Sequence, residues 1–458
     1  MTTPGRRQDR SFDPYDQPPY QGAGTPASGP SSTGAAGADR TGPGASASGS
    51  VPEGDLTAPG WTAPGWRSPS RPQSSPAPER PVAVAPLWQA PAPRRRGVGG
   101  TVALVLLFVF LAASSVGVGL LLVSRLGATA FVICWVLALV PLSIVLLAVR
   151  WLDRWEPEPL VTKAFAFLWG AAGAIVVTMV IGEPVRRYLR AATDPSTSEV
   201  LGTVLQAPVI EEFAKGLGVL LLVLLRRRHV DGPVDGVVYA MLVAAGFAFT
   251  ENILYFGSTL AQAGVIDGSL AAIFIGRGLL SPFAHAMFTA CLGFALGWAS
   301  RRHRTAPVLL AFVLGLVPAV ALHALWNGGA TLAGNFIGFY IVVEVPLFVL
   351  GIVGVVLLGR GEVRLTRARL ADYVHAGWFT PAEVQMLATP AGRRQALAWA
   401  GSRGARAPMK RFVRDATALA FTRQRIIAGF DRAGQQEEEL RLLQEVTAAR
   451  GEVLARTR

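Results

Sequence analysis

Cysteine and charge are both scarce in this sequence. Only two cysteines occur in 458 residues, and both lie inside apolar runs, which excludes a disulfide framework and a cysteine-based zinc site. Charged residues make up 16% of the chain and hydrophobic residues 51%, a lower charged share than soluble domains have. No charged-then-apolar leader opens the chain, so we expect the first apolar run to direct membrane insertion itself.

Apolar runs of about 20 residues recur in the middle of the chain, and that is the length needed to cross a hydrocarbon core ~30 Å thick. They predict an all-α, polytopic transmembrane helical bundle over residues 97–359. The eight predicted spans are 98–123, 128–149, 162–181, 201–225, 234–257, 274–299, 306–329 and 336–358.

The two flanking segments have a different composition. Residues 1–96 are rich in Pro, Gly, Ser and Ala, and such a segment is predicted to be a disordered tail. Residues 360–458 are rich in Arg and have apolar spacing that suits surface helices, which predicts a basic, helical, cytosolic tail. The net charge of +13 indicates membrane lipid as a partner, because no nucleic-acid-binding module is evident.

Arginine clusters predict the orientation of the spans. The clusters at 94–96, 226–228 and 301–304 fall on one side if there are eight crossings. By the positive-inside rule this side is the cytoplasm, so both termini are expected to be cytoplasmic and the protein to lie in the plasma membrane. Three arginines within 186–190 violate the rule, which makes the third span the weakest of the eight predictions.

Ionisable side chains lie inside four consecutive predicted spans. They are Glu211, Glu212, Lys215, Glu251, His285 and His323. A charge at the centre of a span opposes insertion by ~2.5–3.5 kcal/mol, and the four acidic and basic residues together by on the order of 10 kcal/mol. Spacing of four residues gives each span one polar face, and the rise per residue places these faces together in the outer half of the bilayer.

Each of these residues also has a purely structural interpretation. Glu211 or Glu212 with Lys215 could be a buried ion pair that fixes helix packing. Asn252 and Asn327 could join helices through hydrogen bonds, and Arg277 is expected to extend toward the membrane surface.

The chemistry that the cluster allows is hydrolysis of a peptide bond. Glu211 and Glu212 could share a proton for acid and base work, and Asn327 could donate to the oxyanion. Alternatively, His285, His323 and Glu251 form an acceptable ligand set for zinc. The sequence lacks an HExxH motif, so zinc and a metal-independent glutamate mechanism are equally compatible with the residues.

Four motifs, in order on consecutive spans, resemble the PrsW family of intramembrane peptidases: EEFAK at 211–215, FAFTEN at 247–252, the histidine face at His285, and HALWN at 323–327. The resemblance implies that Glu211, Glu212, Glu251, His285 and His323 are functional, with Asn327 as a further candidate and with Lys215, Phe247 and Asn252 in support. Where some members have an acid, this chain has Thr289.

The resemblance also has implications for cofactor and substrate. The family is similar to CAAX prenyl endopeptidases and bacteriocin-immunity-type membrane peptidases, which implies a glutamate mechanism, although its members are often named metallopeptidases. It further implies a single-span membrane protein as the substrate, with site-1 cleavage of an anti-sigma factor as one case.

Two alternatives belong to other functional classes. Buried carboxylates and histidines also mark the proton pathways of ion-coupled transporters, but no inverted repeat is visible in the sequence. A catalytically inactive binding or immunity protein would keep the same fold.

Overall fold

The fold is taken from a computed structural model, which describes residues 98–226, 230, 232–301, 305–429 and 432–457. The predicted disordered tail, residues 1–96, lies outside the described residues. Within them every regular element is a helix, as the predicted all-α class requires.

Eight long helices occupy the positions of the eight predicted spans. They are α1 (Val98–Leu126), α2 (Ala128–Leu152), α3 (Leu160–Ala192), α4 (195–225), α5 (Pro233–Ala263), α6 (Gly268–Ser300, interrupted at 281–283), α7 (Thr305–Leu332) and α8 (Phe336–Ala371). Seven of them are long and apolar enough to cross a membrane, and α4 is the exception. The chain is therefore polytopic.

Helix α4 is less apolar than the other seven because it carries several charged residues in its middle. Contacts elsewhere indicate that it also crosses the membrane. Arg425, in the C-terminal helices, donates to Glu156, in the loop between α2 and α3, over 2.9 Å. These two segments therefore lie on the same face of the bundle, and an even number of crossings separates them. The helices between them are α3 to α8, so α4 completes the even number.

Four of the eight helices contain a π-helical turn. These turns are Trp169–Ala174 in α3, Leu201–Gln206 in α4, Phe274–Leu280 in α6 and Tyr340–Glu344 in α8. A π turn adds a residue to the helical repeat and so changes which face the following residues present. In α4 and α6 the π turns directly precede the segments that carry Glu211 and His285.

Helix α5 lies at the centre of the bundle, where 78% of its most apolar 18-residue segment is buried. Glycines let other helices approach its backbone closely. A Cβ on Gly236 of α5 would overlap the carbonyl of Gly293 in α6, and a Cβ on Gly246 would overlap the carbonyl of Phe167 in α3. Small residues at such crossings are the usual means of close packing between membrane helices.

The arginines that violated the positive-inside rule are not in a loop. Helix α3 continues to Ala192, well past the predicted end at residue 181. Arg186 and Arg187 both pair with Glu183 on the same helix, so part of their charge is neutralised. The prediction of a loop at this position was wrong.

The C-terminal segment is helical, as predicted. Its helices are α9 (Pro381–Leu387), α10 (Pro390–Ser402), α11 (Arg406–Ile427) and α12 (Arg432–Thr457). Their apolar faces pack against each other in a second hydrophobic core that includes Leu387, Phe412 and Val446, instead of lying free as surface helices. The predicted domain boundary at 359/360 falls within α8, and the division into domains stays a prediction.

Candidate functional site

Glu212 is a buried carboxylate of the membrane bundle to which three side chains donate. It is fully buried, and its Oε1 accepts hydrogen bonds from Lys215 Nζ at 2.6 Å and from His323 Nδ1 at 2.9 Å. Its Oε2 accepts from the Thr289 hydroxyl at 2.8 Å. Three donors from α4, α6 and α7 thus converge on one carboxylate, which satisfies the requirement that a buried charge be paired and hydrogen-bonded.

Glu251 holds His285 in place. Its Oε2 lies 2.8 Å from His285 Nε2 and 2.8 Å from Arg277 Nη2. The other ring nitrogen of His285, Nδ1, lies 3.2 Å from Lys215 Nζ. Because an ammonium group can only donate, Nδ1 accepts from Lys215 and the Nε2–H donates to Glu251. The two neighbours therefore fix the tautomer of His285.

Glu211 differs from the other two carboxylates because its Oε2 is buried and has no hydrogen-bond partner among the described residues. This oxygen lies 3.8 Å from Lys215 Nζ and 3.8 Å from His323 Nε2. Both separations exceed a direct hydrogen bond, but one polar atom lying beside Glu211 Oε2, off the line that joins the groups, can reach either partner. Glu211 is therefore the carboxylate that can act on a ligand.

Aromatic rings surround the two histidines. The rings of His285 and His323 meet edge to face with centroids 5.0 Å apart, and Phe288 stacks on His323 at 5.1 Å. Lys215 Nζ lies 4.3 Å from the centre of the Phe247 ring. These contacts restrict the rotation of the polar side chains and stabilise the buried ammonium.

The structure brings most of the predicted residues into one polar cluster. The members are Glu211, Glu212, Lys215, Glu251, His285 and His323, with the predicted supporting residue Phe247 against them. Asn252 lies at its edge, where its Oδ1 is 3.5 Å from Arg277 Nε. Asn327 lies outside the cluster, because its amide donates to the Thr203 carbonyl in the π turn of α4.

Three expectations about this region need correction. Arg277 does not extend to the membrane surface but pairs with Glu251 and lies 3.8 Å from the centre of the Tyr255 ring. Among the described residues no hydrogen bond joins Glu211 to Glu212, because Glu212 is turned toward its three donors. The shared-proton pair is therefore not present in this arrangement.

The third correction concerns the metal ligands. The described residues contain one group suited to hold an ion, namely Glu211, His285 and His323, whose ligand atoms lie within 4.8 Å of one another. Glu251, the carboxylate predicted for this set, instead hydrogen-bonds His285 from the side. The N,N,O donor set itself is as predicted and fits zinc.

Sequence reasoning missed three residues. Thr289 was treated only as a missing carboxylate, yet it orients Glu212; a neutral hydroxyl inside a span gives no insertion penalty to notice. Arg277 lies near the end of a predicted span, so the sequence predicts that it extends to the membrane surface and gives no sign of its pairing with Glu251. Glu344 in α8 is 1% exposed, with both oxygens unpartnered among the described residues, and the penalty applied to the other acids would have identified it.

A narrow cleft between α2, α5, α6 and α7 borders the cluster. Its lining includes Pro141, Asn252, Arg277, Ser281, His285 and Trp326. The interruption of α6 at 281–283 and the buried His285 both border this cleft.

A family model and several curated relatives point to the same family of proteins. The model of the PrsW family of intramembrane metalloproteases matches residues 158–351, a segment that contains every member of the cluster. No solved structure matches the chain.

Several curated relatives carry the name Protease PrsW. The one from Geobacillus kaustophilus is 33% identical over 145 residues, 32% of this chain and 57% of the relative. That from Clostridioides difficile is 27% identical over 161 residues, 35% and 63% respectively. The Bacillus subtilis relative is 26% identical over 200 residues, 44% and 84%. The alignments thus span less than two thirds of the first two relatives. Residues 158–351 of this chain are thus similar to the PrsW family of intramembrane metalloproteases.

Proposed function

We propose that the chain is an intramembrane peptidase that hydrolyses a peptide bond of a membrane-anchored protein. The observation that carries the proposal is Glu211, a buried carboxylate with one oxygen unpartnered among the described residues, beside two histidines whose tautomers are fixed by other carboxylates. The similarity of residues 158–351 to the PrsW family supports the same activity.

Glu211 is the general base in this proposal. A water molecule beside its Oε2 and His323 Nε2, which are 3.8 Å apart, would bridge the two atoms from one side, within hydrogen-bond reach of both. Glu211 would take the proton as the water attacks the peptide carbonyl, and would return it to the departing amine.

The remaining carboxylates orient the histidines. Since the Nδ1–H of His323 donates to Glu212, its Nε2 carries the lone pair and faces Glu211. Glu251 fixes His285 in the same manner from the other side. Lys215 adds a positive charge between Glu211 and Glu212, which lowers the repulsion between the two acids in a medium of low dielectric constant.

The cluster could also hold a metal ion, and Glu211, His285 and His323 are the residues that would bind it. A zinc ion there would supply a Lewis acid and an acidified water. The carboxylates on the far nitrogens of both histidines are the usual arrangement behind zinc ligands. Ligation by His285 would require Lys215 or Glu251 to release one ring nitrogen, because both are engaged.

Metal analysis of the purified protein distinguishes the two mechanisms. Zinc that is bound by the wild type and lost in His323→Ala would support the ligand role. Cleavage that persists in metal-free protein, and in the presence of a chelator, would support glutamate chemistry without metal.

The substrate class follows from the location of the site. The cluster and its cleft lie between membrane helices, so we infer a single-span membrane protein as the substrate, an anti-sigma factor being one candidate. His323 lies ~14 Å and Glu251 ~18 Å along their helices from Leu332 and Ala263, at 1.5 Å per residue. With both termini cytoplasmic, these helix ends face outward, which supports cleavage in the outer half of the plasma membrane.

A co-expression experiment tests the proposal. Single-span membrane proteins would be expressed with the wild type, with Glu211→Gln and with His285→Ala, and their fragments identified by mass spectrometry. We expect a shortened product with the wild type alone. The same fragments from all three proteins would contradict the assigned site.

A further inference from the structure

A cluster of three arginines lies where the C-terminal helices meet the loop between α2 and α3. Arg154 follows directly after α2, and Arg393 and Arg394 lie in α10. The ion pair between Arg425 and Glu156 holds the two segments together nearby. The cluster lies far along the chain from the motifs of the proposed peptidase site, and its interpretation does not depend on that function.

The three guanidinium groups repel one another. Burial, followed by the charge of Arg394 as the smaller cause, lowers the pKa of Arg154. Burial, followed by the charge of Arg154, lowers the pKa of Arg393 to about 9. Guanidinium groups remain charged at neutral pH. Among the described residues no carboxylate pairs with any of them; Arg393 donates only to the Leu387 carbonyl and the Thr417 hydroxyl.

The N-terminus of α10 adds to this positive potential. The helix begins at Pro390 and has 13 residues, so Arg393 and Arg394 follow its first turn, close to the positive end of the helix dipole. Cations are disfavoured at this end of a helix, whereas anions are favoured there. Because cations are concentrated at the N-terminus of α10, we infer that a bound anion balances their charge there.

The tryptophans around the cluster provide an independent observation. The Arg393 guanidinium lies 3.8 Å from the centre of the Trp155 ring. Trp155 is only 4% exposed, and its indole Nε1–H has no acceptor among the described residues. A buried donor without an acceptor beside three unpaired cations indicates that a ligand with oxygen acceptors completes the site.

The position relative to the membrane identifies the source of that ligand. Helix α2 is a membrane span that ends at Leu152, so Arg154 lies at the level where lipid headgroups begin. Arg154 lies 4.3 Å from the centre of the Trp151 ring, and Trp151 is 39% exposed with Leu147 of the preceding turn 67% exposed. Such an apolar surface suits acyl chains, and tryptophan is enriched at this depth.

We propose that Arg154, Arg393 and Arg394 bind the phosphate of an anionic phospholipid, whose acyl chains lie along the exposed face of α2. The lipid headgroup bridges the loop between α2 and α3 to α10 and adds to the ion pair between Glu156 and Arg425. The C-terminal helices are thereby held to the membrane bundle through a lipid.

Native mass spectrometry of the full chain in phosphatidylcholine, with phosphatidylglycerol added, tests the proposal. Each arginine near an anionic headgroup contributes about a fivefold factor in binding. We expect Arg154→Gln combined with Arg394→Gln to raise the apparent Kd for phosphatidylglycerol by about 25-fold. The matched control is Arg406→Gln, an exposed arginine beyond the other end of α10, which should change the Kd by less than about twofold.

Two further comparisons keep the test decisive. The double lysine variant, Arg154→Lys with Arg394→Lys, retains the charges and should keep most of the affinity even if the glutamine variant loses stability. Inorganic phosphate at millimolar concentration should not displace the lipid. An unchanged Kd in the double glutamine variant, or complete displacement by inorganic phosphate, would overturn the proposal.

Discussion

At the scale of single residues, the role of each acid in the site depends on which side chains donate hydrogen bonds to its carboxylate. Glu212 and Glu251 use their oxygens to hold His323 and His285, whereas Glu211 keeps one oxygen without a partner in the part of the chain that the structure describes. Three acids that look alike in sequence therefore have different roles, and substitutions at their partners should have different effects.

A small substitution at Thr289 tests whether the hydrogen bonds to Glu212 position that carboxylate. Thr289→Val removes one donor from Glu212 while conserving the shape of the side chain. A hydrogen bond to a charged group contributes ~1.5–3 kcal/mol, so we expect kcat/KM for cleavage to fall by about 10- to 100-fold. Thr289→Ser retains the hydroxyl and should restore most of the rate; equal rates for all three proteins would show that the hydroxyl does not position Glu212.

Arg277 should matter for stability as well as rate. Arg277→Gln leaves Glu251 with one partner in a site where both side chains are less than one-fifth exposed. Breaking a buried ion pair costs ~3–5 kcal/mol, so both the melting temperature and the cleavage rate should fall. Arg190→Gln, an exposed arginine on α3, is the control. A melting temperature that is unaltered in Arg277→Gln would contradict the buried pair.

The sequence alone brings out the acidic residues and histidines of the candidate site, but not the roles of Arg277 and Thr289. Glu211, Glu251 and the histidines were identifiable because a charge in an apolar run is costly. Thr289 carries no such penalty. The side chain of Arg277 could reach either the surface or Glu251, and only the packing of α5 against α6 decides between them.

At the scale of helices, close crossings set the distances within the site. Glu251 lies on α5 and His285 on α6, and these two helices touch through Gly236 and Gly293. The sequence predicts both spans, but it does not predict which helices cross or where, since that depends on π turns and on glycines far apart in the chain.

Gly293→Ala tests the role of this crossing. Its new methyl group would overlap the backbone of Gly236, and overpacking of this kind costs ~1–3 kcal/mol. We expect a lower melting temperature and slower cleavage. The matched control on the same helix is Gly276→Ala, where a Cβ meets nothing within 4 Å. Equal stability of the two variants would show that the crossing tolerates separation.

At the scale of the whole molecule, the even number of crossings between the loop after α2 and the C-terminal helices is the strongest constraint on topology. Single cysteines at three exposed positions test it, namely Pro157, Ser196 and Ser402, with an impermeant maleimide as the probe. We expect Ser196→Cys to be labelled in intact cells, and Pro157→Cys and Ser402→Cys only after the cells are opened. Opposite accessibility of positions 157 and 402 would show that α4 does not cross.

The C-terminal segment shows what composition can and cannot predict. Its helices and basic character follow from the sequence, but the amphipathic pattern did not distinguish a helix lying on lipid from one packed in a core. Leu387 and Phe412 are fully buried because four helices come together, which is a tertiary property that no single segment encodes.

Direct observation of peptide-bond cleavage by purified protein tests the proposed function most directly. Wild type, Glu211→Gln and the control Glu199→Gln, an exposed acid on the same helix, would be reconstituted into liposomes with a single-span membrane protein. The appearance of a new N-terminus would be followed by mass spectrometry. We predict cleavage by the wild type and Glu199→Gln, and a rate lower by about 100-fold or more for Glu211→Gln. Cleavage by Glu211→Gln at the wild-type rate would contradict the role of Glu211 as the base.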